Sequence, residues 1–131
     1  MTSLIWFQRD LRISDHAPLM HALKRNQNMV FAYLHDPAQT IGEANNAWLA
    51  QSLIELQKTL RLKGGELLML EGDFSENFDQ LLRHYQIDEV LYHYEVGEPF
   101  LSQQHLALQI CQQYKVRLQP FDQAWYPLSK F

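Results

Sequence analysis

Residues 49–70, LAQSLIELQKTLRLKGGELLML, contain the repeating unit from which the fold is built. Leucines at positions 49, 53, 56 and 60 recur with a helical period and therefore line one face of a helix. Gly64 and Gly65 follow, and glycine is the residue that most often ends a helix. Leu67–Leu70 is then a short apolar run, typical of a buried strand. The stretch predicts a helix, a tight turn and a strand in succession.

The same alternation extends along all 131 residues. Further helices are predicted from His16, capped by Asp15, over residues 74–85, and after Pro99. Alternating strands and helices imply right-handed crossovers and parallel pairing. We therefore predict an α/β fold, a Rossmann-like three-layer α/β/α domain with a five-stranded, mostly parallel sheet of order 3-2-1-4-5. The predicted strands, each buried on both faces, are Leu4–Phe7, Met29–Leu34, Leu67–Leu70, Val90–Tyr94 and Val116–Phe121.

Composition indicates one globular domain and excludes several classes of protein. A single cysteine, Cys111, rules out a disulfide framework, and its place in an apolar helical stripe favours a small buried side chain. No apolar run approaches the roughly 20 residues of a membrane span. The net charge of -4 argues against nucleic-acid binding by this domain alone. We expect a cytoplasmic domain.

The sequence contains no catalytic motif that we can assemble. Its five glycines form neither a dinucleotide fingerprint nor a P-loop. His16 and His21 diverge on a helix and no zinc-binding spacing occurs, so we predict no metal site and no catalytic residue. In a sheet of this order, ligands bind beyond the carboxyl ends of the strands. Those ends are residues 8–12, 35–42 and 95–100.

The segment after the first strand, residues 9–15, reads RDLRISD and combines two arginines with two aspartates. Alternating charges beside a buried sheet suit a buried ion-pair network. We assign the charged residues of this segment to the geometry of the loop or to docking of a neighbouring domain. These residues are Arg9, Asp10, Arg12 and Asp15.

Residues 6–15, WFQRDLRISD, resemble the opening signature of the DNA photolyase and cryptochrome family, W-F-R-x-D-L-R-[LIV]-x-D-N. Residues 35–37 are similar to the D-P turn after the family's second strand. Residues 48–60 resemble its F-L-x-x-S-L-x-x-L-x-x-x-L helix, and residues 94–98 its Y-E-V-x-E stretch. The resemblance covers essentially the whole chain. It departs from the family at Gln8, His16 and Asn46, where Arg, Asn and Arg are usual.

The resemblance implies that the chain is one domain of a longer protein. Family members place an N-terminal α/β domain before a helical domain that binds FAD and meets damaged DNA. Residues 122–131 are then expected to begin the linker to that helical domain, which is the domain's partner in the same parent chain. The parent is expected to repair pyrimidine dimers with light, whereas these 131 residues alone would not be an enzyme.

The resemblance also implies an antenna pigment, a reduced folate or a deazaflavin, that passes excitation energy to FAD. For a folate, Glu98 would accept hydrogen bonds from the pterin, beside Gly97. The residues implied for a deazaflavin are Leu34, His35, Asp36 and Trp48. The structural alternative leaves Glu98 solvated beside a helix N-terminus and Trp48 in the core.

Three other functions stay open at this point. A cryptochrome photoreceptor would have the same domain. A stand-alone nucleotide-binding domain of the universal-stress-protein kind would share the fold, but would need a glycine-rich loop before its last helix. A purely structural domain would dock the helical half and bind no pigment.

Overall fold

The computed structural model describes residues 1–13, 16–25, 28–37 and 43–121, with side chains from residue 48 onward in the last range. Strands and helices alternate along the chain. The strands are β1 (Thr2–Phe7), β2 (Asn28–His35), β3 (Leu67–Glu71), β4 (Glu89–His93) and β5 (Arg117–Phe121). The helices are α1 (Ala17–Lys24), α2 (Glu43–Leu62), α3 (Phe74–His84) and α4 (Phe100–Gln113). The predicted linker, residues 122–131, lies outside the described residues.

The strands pair in parallel in the order β3-β2-β1-β4-β5. This confirms the predicted sheet and its order. β1 is the central strand, and its Ile5 lies opposite Phe31 of β2 and Leu91 of β4. The carboxyl ends of β1, β2 and β4 therefore lie beside one another at one edge of the sheet.

The two faces of β1 pack against different helices. Leu4 and Trp6 belong to an apolar cluster with buried residues of α3 and α4. Ile5 and Phe7 belong to a second cluster, with buried residues of α1 and α2. Period-two alternation in a central strand thus fills two cores at once, and the three-layer α/β/α architecture is confirmed.

The prediction that every strand is buried on both faces is wrong for β3 and β5. Their side chains are buried or half-buried only at some positions, and Met69 of β3 is 52% exposed. Both are edge strands with a single neighbour, so the helical layers cover them incompletely. Pro120, which offers no N–H to a further strand, fits the edge position of β5.

The sequence predicted where α2 ends and where α1 begins. The glycine stop after α2 is confirmed, because Gly64 adopts a φ of +86° and Gly65 N–H donates to the Leu60 carbonyl at 2.8 Å. The predicted start of α1 is wrong by one residue. His16 is the N-cap, and its Nδ1 accepts a hydrogen bond from Leu19 N–H at 3.2 Å. Asp15, the predicted cap, lies outside the described residues.

Two further sequence predictions concern single features. Cys111 is buried, as expected, and burial raises the pKa of its thiol to about 12. Within the described part of the chain, none of the helices has the length and apolar character needed to cross a bilayer.

The amino end of edge strand β3 is held by one buried amide. Gln57 of α2 accepts a hydrogen bond from Leu67 N–H at 2.8 Å and donates to the Leu67 carbonyl at 3.0 Å. We predict that Gln57→Met lowers the free energy of unfolding by about 2 kcal/mol or more, because both backbone groups lose their partner. Urea denaturation measures the change. Gln51→Met, at an exposed position of the same helix, is the control; equal stability of the two variants would contradict the prediction.

Candidate functional site

The loop after β1 turns around the buried carboxylate of Asp10, which is 1% exposed. One carboxylate oxygen accepts from Gln8 N–H at 2.9 Å, and the other contacts Nε2 of His16. The turn is closed by Arg12 N–H, which donates to the Asp10 carbonyl at 2.8 Å. Asp10 therefore fixes the path of the chain from β1 to the start of α1.

The charge state of Asp10 follows from these contacts. Burial raises the pKa of its carboxyl group, but the hydrogen bonds from His16 and from the Gln8 N–H lower the pKa by more. The net direction is downward, so Asp10 is a carboxylate at neutral pH.

The structure places the two arginines of the predicted buried ion-pair network at the surface. Arg9 and Arg12 are exposed, and the Arg9 guanidinium lies 5.6 Å from the ring centroid of Phe100. Among the described residues, the buried partner of Asp10 is His16. A guanidinium at the surface avoids the large desolvation penalty that burial would impose. The role of Arg9, Arg12 and Asp15 in domain geometry stays a prediction.

His93 completes a cluster that the sequence analysis missed. It is the last residue of β4, is 1% exposed, and packs edge-on against His16 with ring centroids 4.7 Å apart. Burial lowers the pKa of His93 to about 4, so its ring is neutral at neutral pH. No local spacing links the three residues. The signal lay in the strand order, which places the end of β4 beside the end of β1.

A cleft opens at this edge between β1, β2 and the start of α4. It is lined by Leu34, His35 and Asp36, which the resemblance implies for a deazaflavin, together with Pro99 and Phe100. Its volume is only about 30 Å³. That is room for one or two water molecules.

A larger groove adjoins the cleft, between α2 and the ends of β2 and β3. It has a volume of about 300 Å³, at the lower limit of ordinary ligand sites. Tyr33, His35 and Leu49 line both cavities, so the two form one surface. Trp48 is 57% exposed, which excludes the core position considered for it. It does not line the described part of either cavity, but precedes Leu49, which does.

Two acidic candidates have structural partners. Asp36 accepts a hydrogen bond from Phe74 N–H at 3.2 Å and so ties the end of β2 to the start of α3. Glu98 is exposed and accepts from Ser102 Oγ at 2.6 Å and Ser102 N–H at 3.3 Å, in the first turn of α4. Glu98 thus lies at a helix N-terminus, as its structural alternative expected. Gly97 before it is exposed, with a φ of +81°.

The loop that carries Gly97 and Glu98 is held by an amide pair. Gln8 Nε2 donates to the His93 carbonyl and to Gln104 Oε1, both at 3.0 Å. Gln104 in turn accepts from Glu95 N–H at 2.8 Å and donates to the Glu95 carbonyl at 2.9 Å. Gln8 stands where the resemblance expects Arg, and an amide here joins β1 to the loop after β4.

The structure is an α/β domain with a cleft beyond the carboxyl ends of its parallel strands, where sheets of this order commonly bind ligands. A family model described as DNA photolyase matches residues 3–126. The chain therefore belongs to the DNA photolyase family, and the resemblance noted in the sequence is confirmed. This family assignment favours a photolyase-like domain over a stand-alone nucleotide-binding domain.

Relatives carry both names used in this family. The chain is 35% identical to a cryptochrome DASH of Gloeobacter violaceus, over 72% of this chain and 21% of that protein. It is 30% identical to a deoxyribodipyrimidine photo-lyase of Agrobacterium fabrum, over 67% of this chain and 19% of that protein. The chain thus spans about a fifth of the length of these curated relatives.

Solved structures show the same architecture. A Synechocystis cryptochrome aligns with a TM-score of 0.85 and 27% identity, over 92% of this chain and 27% of that one. An archaeal photolyase from Sulfolobus tokodaii aligns with a TM-score of 0.81 and 21% identity, over 93% of this chain and 29% of that one. The latter is described with two FAD molecules, implying a novel light-harvesting cofactor in that protein.

Burial of neutral His93 predicts a pH dependence of stability. Its pKa is about 4 in the folded chain and near 6.5 when unfolded, so between these values the unfolded state binds more protons. Acidification through this window therefore destabilises the fold, by at most about 3 kcal/mol. Asp10, whose pKa is lowered, adds a loss only below its ordinary value.

The measurement is the free energy of unfolding of wild type and His93→Leu across the window, in metal-free buffer. We expect the wild type to lose stability on acidification and the variant to lose distinctly less. His105→Asn, at an exposed histidine of α4, should behave as wild type. Parallel curves for wild type and His93→Leu would show that His93 is not the titrating group.

Proposed function

We propose that this chain is the antenna-chromophore domain of a deoxyribodipyrimidine photolyase-like protein. The observation that carries the proposal is the continuous surface formed by the cleft and the groove, at the carboxyl edge of the sheet of a DNA photolyase family domain. This surface includes Leu34, His35 and Asp36, three of the residues implied for a pigment. Its position agrees with where parallel sheets of this order bind ligands.

The parent protein, in this proposal, repairs pyrimidine dimers in DNA under light. FAD, held by a helical domain outside these 131 residues, supplies the light-driven electron to the dimer. The helical domain is the partner of this chain, damaged DNA meets the parent through that domain, and the parent is cytoplasmic. The identity to a deoxyribodipyrimidine photo-lyase supports the repair activity.

The groove suits a pigment that transfers energy, because such a pigment needs orientation and shielding from water but no acid–base chemistry. Its wall combines apolar side chains, Leu49, Leu53 and Met69, with a few polar groups. Burial raises the pKa of Tyr33 to about 12, so its hydroxyl stays protonated and able to donate a hydrogen bond. Planar ring systems are bound in proteins by this mixture of contacts.

The same geometry favours a deazaflavin or flavin pigment over a folate. The folate candidate, Glu98, already accepts two hydrogen bonds from Ser102. The tricyclic pigment would lie along the groove and reach the cleft at His35, which lines both. The archaeal photolyase with this fold is described with two FAD molecules and a novel light-harvesting cofactor, which supports a flavin-type pigment.

The test is the pigment content of the full-length parent purified from its own host. We predict that Met69→Glu removes an absorption band beyond those of FAD, because it places a charge in the groove wall, while FAD content is unchanged. Ile54→Glu is the matched control, since Ile54 of α2 is 50% exposed and Met69 is 52% exposed, but only Met69 lines the groove.

The variant Glu98→Gln tests whether the pigment binds in the groove or at the folate surface around Glu98. It should leave the pigment band intact if the groove holds the pigment. Loss of the band in Glu98→Gln, with retention in Met69→Glu, would assign the pigment to the folate surface instead. A wild-type protein with no band beyond FAD would support the purely structural role of the domain.

A cryptochrome photoreceptor is the second candidate, because the cryptochrome DASH relative is 35% identical to this chain. The two functions differ in what illumination does to damaged DNA. A photolyase parent should restore dimer-containing DNA under light and not in the dark. A photoreceptor would leave the dimers in place in both conditions.

A further inference from the structure

We propose that Asp10, His16 and His93 form a binding site for one divalent metal ion of the zinc class. Each residue offers a ligand atom, and these atoms all lie within 4.8 Å of one another. All three side chains are buried, with exposures of 0–1%. The proposal rests on this cluster alone and does not depend on whether the domain holds a pigment.

The second observation is the state of His93. Among the described residues, neither ring nitrogen of His93 meets a hydrogen-bond partner, although the side chain is buried. A buried polar group without a partner is rare in native structures and calls for an unseen ligand, water or ion. The packing of His93 edge-on against His16 directs it into the same cluster.

The surroundings of His93 resemble those of a histidine ligand. Metal-binding histidines commonly direct their second ring nitrogen at a backbone carbonyl. The Phe121 carbonyl, which accepts from Tyr94 N–H at 2.7 Å, is near enough to the His93 ring to raise its pKa, although it falls outside hydrogen-bond geometry.

The donor set matches a specific class of metal. Two imidazoles and one carboxylate are the ligands of open zinc sites, in which water takes the fourth position. Ligation requires an ionised carboxylate and neutral imidazoles, and Asp10 supplies the one negative charge of this set.

Gln8 contacts the cluster and also lines the cleft. Its backbone N–H donates to Asp10 and its side-chain N–H to the His93 carbonyl, while Oε1 is buried without a partner among the described residues. In the proposed site that oxygen would accept a hydrogen bond from a metal-bound water. Gln8 also lines the cleft, so the cleft adjoins the cluster.

Metal binding requires a defined rearrangement. Tetrahedral zinc places its ligand atoms about 3.4 Å apart, so Asp10 and His16 must separate while His93 approaches. The Nε2 proton that His16 directs at Asp10 must move to Nδ1. Nδ1 then no longer accepts from Leu19 N–H, so α1 loses its capping hydrogen bond. The free energy of one such hydrogen bond is small compared with that of a metal–ligand bond. Its loss should change the Leu19 amide, which reports metal binding at this site.

The experiment titrates the 131-residue chain, free of any affinity tag, with Zn²⁺ by calorimetry at neutral pH, and with Co²⁺ to record ligand-field absorption. We expect one ion per chain and a shift of the Leu19 amide signal in the NMR spectrum. His93→Leu should weaken binding more than about 100-fold, because loss of even an outer-shell partner costs 10–100-fold. This variant removes the unpartnered nitrogens, so its fold should be retained.

His16→Asn is the second variant, because asparagine is a good N-cap and preserves α1 while removing a ligand. It should lose binding to the same degree, whereas His105→Asn, at an exposed histidine, should bind as wild type. Circular dichroism checks each fold. Absence of one-to-one Zn²⁺ binding by the wild-type chain, or equal binding by wild type and His16→Asn, would overturn the proposal.

Discussion

The central position of β1 is the constraint on which the rest of the structure depends. β1 is paired on both sides and covered on both faces, so the chain that leaves it at Phe7 begins its turn among buried residues, Gln8 and Asp10. The buried polar groups of that turn need partners inside the protein. Asp10 satisfies the Gln8 N–H, and Gln8 satisfies the His93 carbonyl. The cluster at the candidate site therefore supplies hydrogen-bond partners to backbone groups that are buried beside β1.

The opposite end of the sheet solves a similar problem with a closed network. Glu89 at the start of β4 is buried and accepts from Ser3 Oγ at 2.7 Å and from Arg25 Nη1 at 3.1 Å. The carboxyl edge differs, because His93 and Gln8 keep buried polar atoms without partners among the described residues. Buried polar groups that all have hydrogen-bond partners indicate a structural role. Buried polar atoms without partners, beside a cleft, indicate a place for a ligand. The asymmetry supports the proposed binding at the carboxyl edge independently of strand topology.

The sequence predicted the fold well because the fold depends on local periodicity. The leucine spacing of α2, the glycine stop after it and the short apolar runs each reflect which residues face a core. Burial of the edge strands was predicted wrongly, because an apolar run such as Leu67–Leu70 does not show how many neighbours it will have. The sequence analysis singled out Asp10 as a structural residue of the loop, but it did not identify His16 as its partner. Adjacent arginines suggested ion pairs, whereas His16 and His93 reach it through the cap of α1 and the end of β4.

The candidate ligand residues fall into two groups: polar residues that already cap a helix, and side chains that form the groove wall. Polar residues that end strands, such as Asp36 and Glu98, are also the residues that loops and helix starts need, and both have such partners here. A motif match at these positions therefore cannot separate ligand contact from capping. The groove side chains are different: Met69, Leu53 and Tyr33 make no capping contact, and their exposed parts form the wall of a cavity. An apolar surface left uncovered between α2 and the sheet gains most from being filled by a flat ring system, because covering it removes apolar area from water.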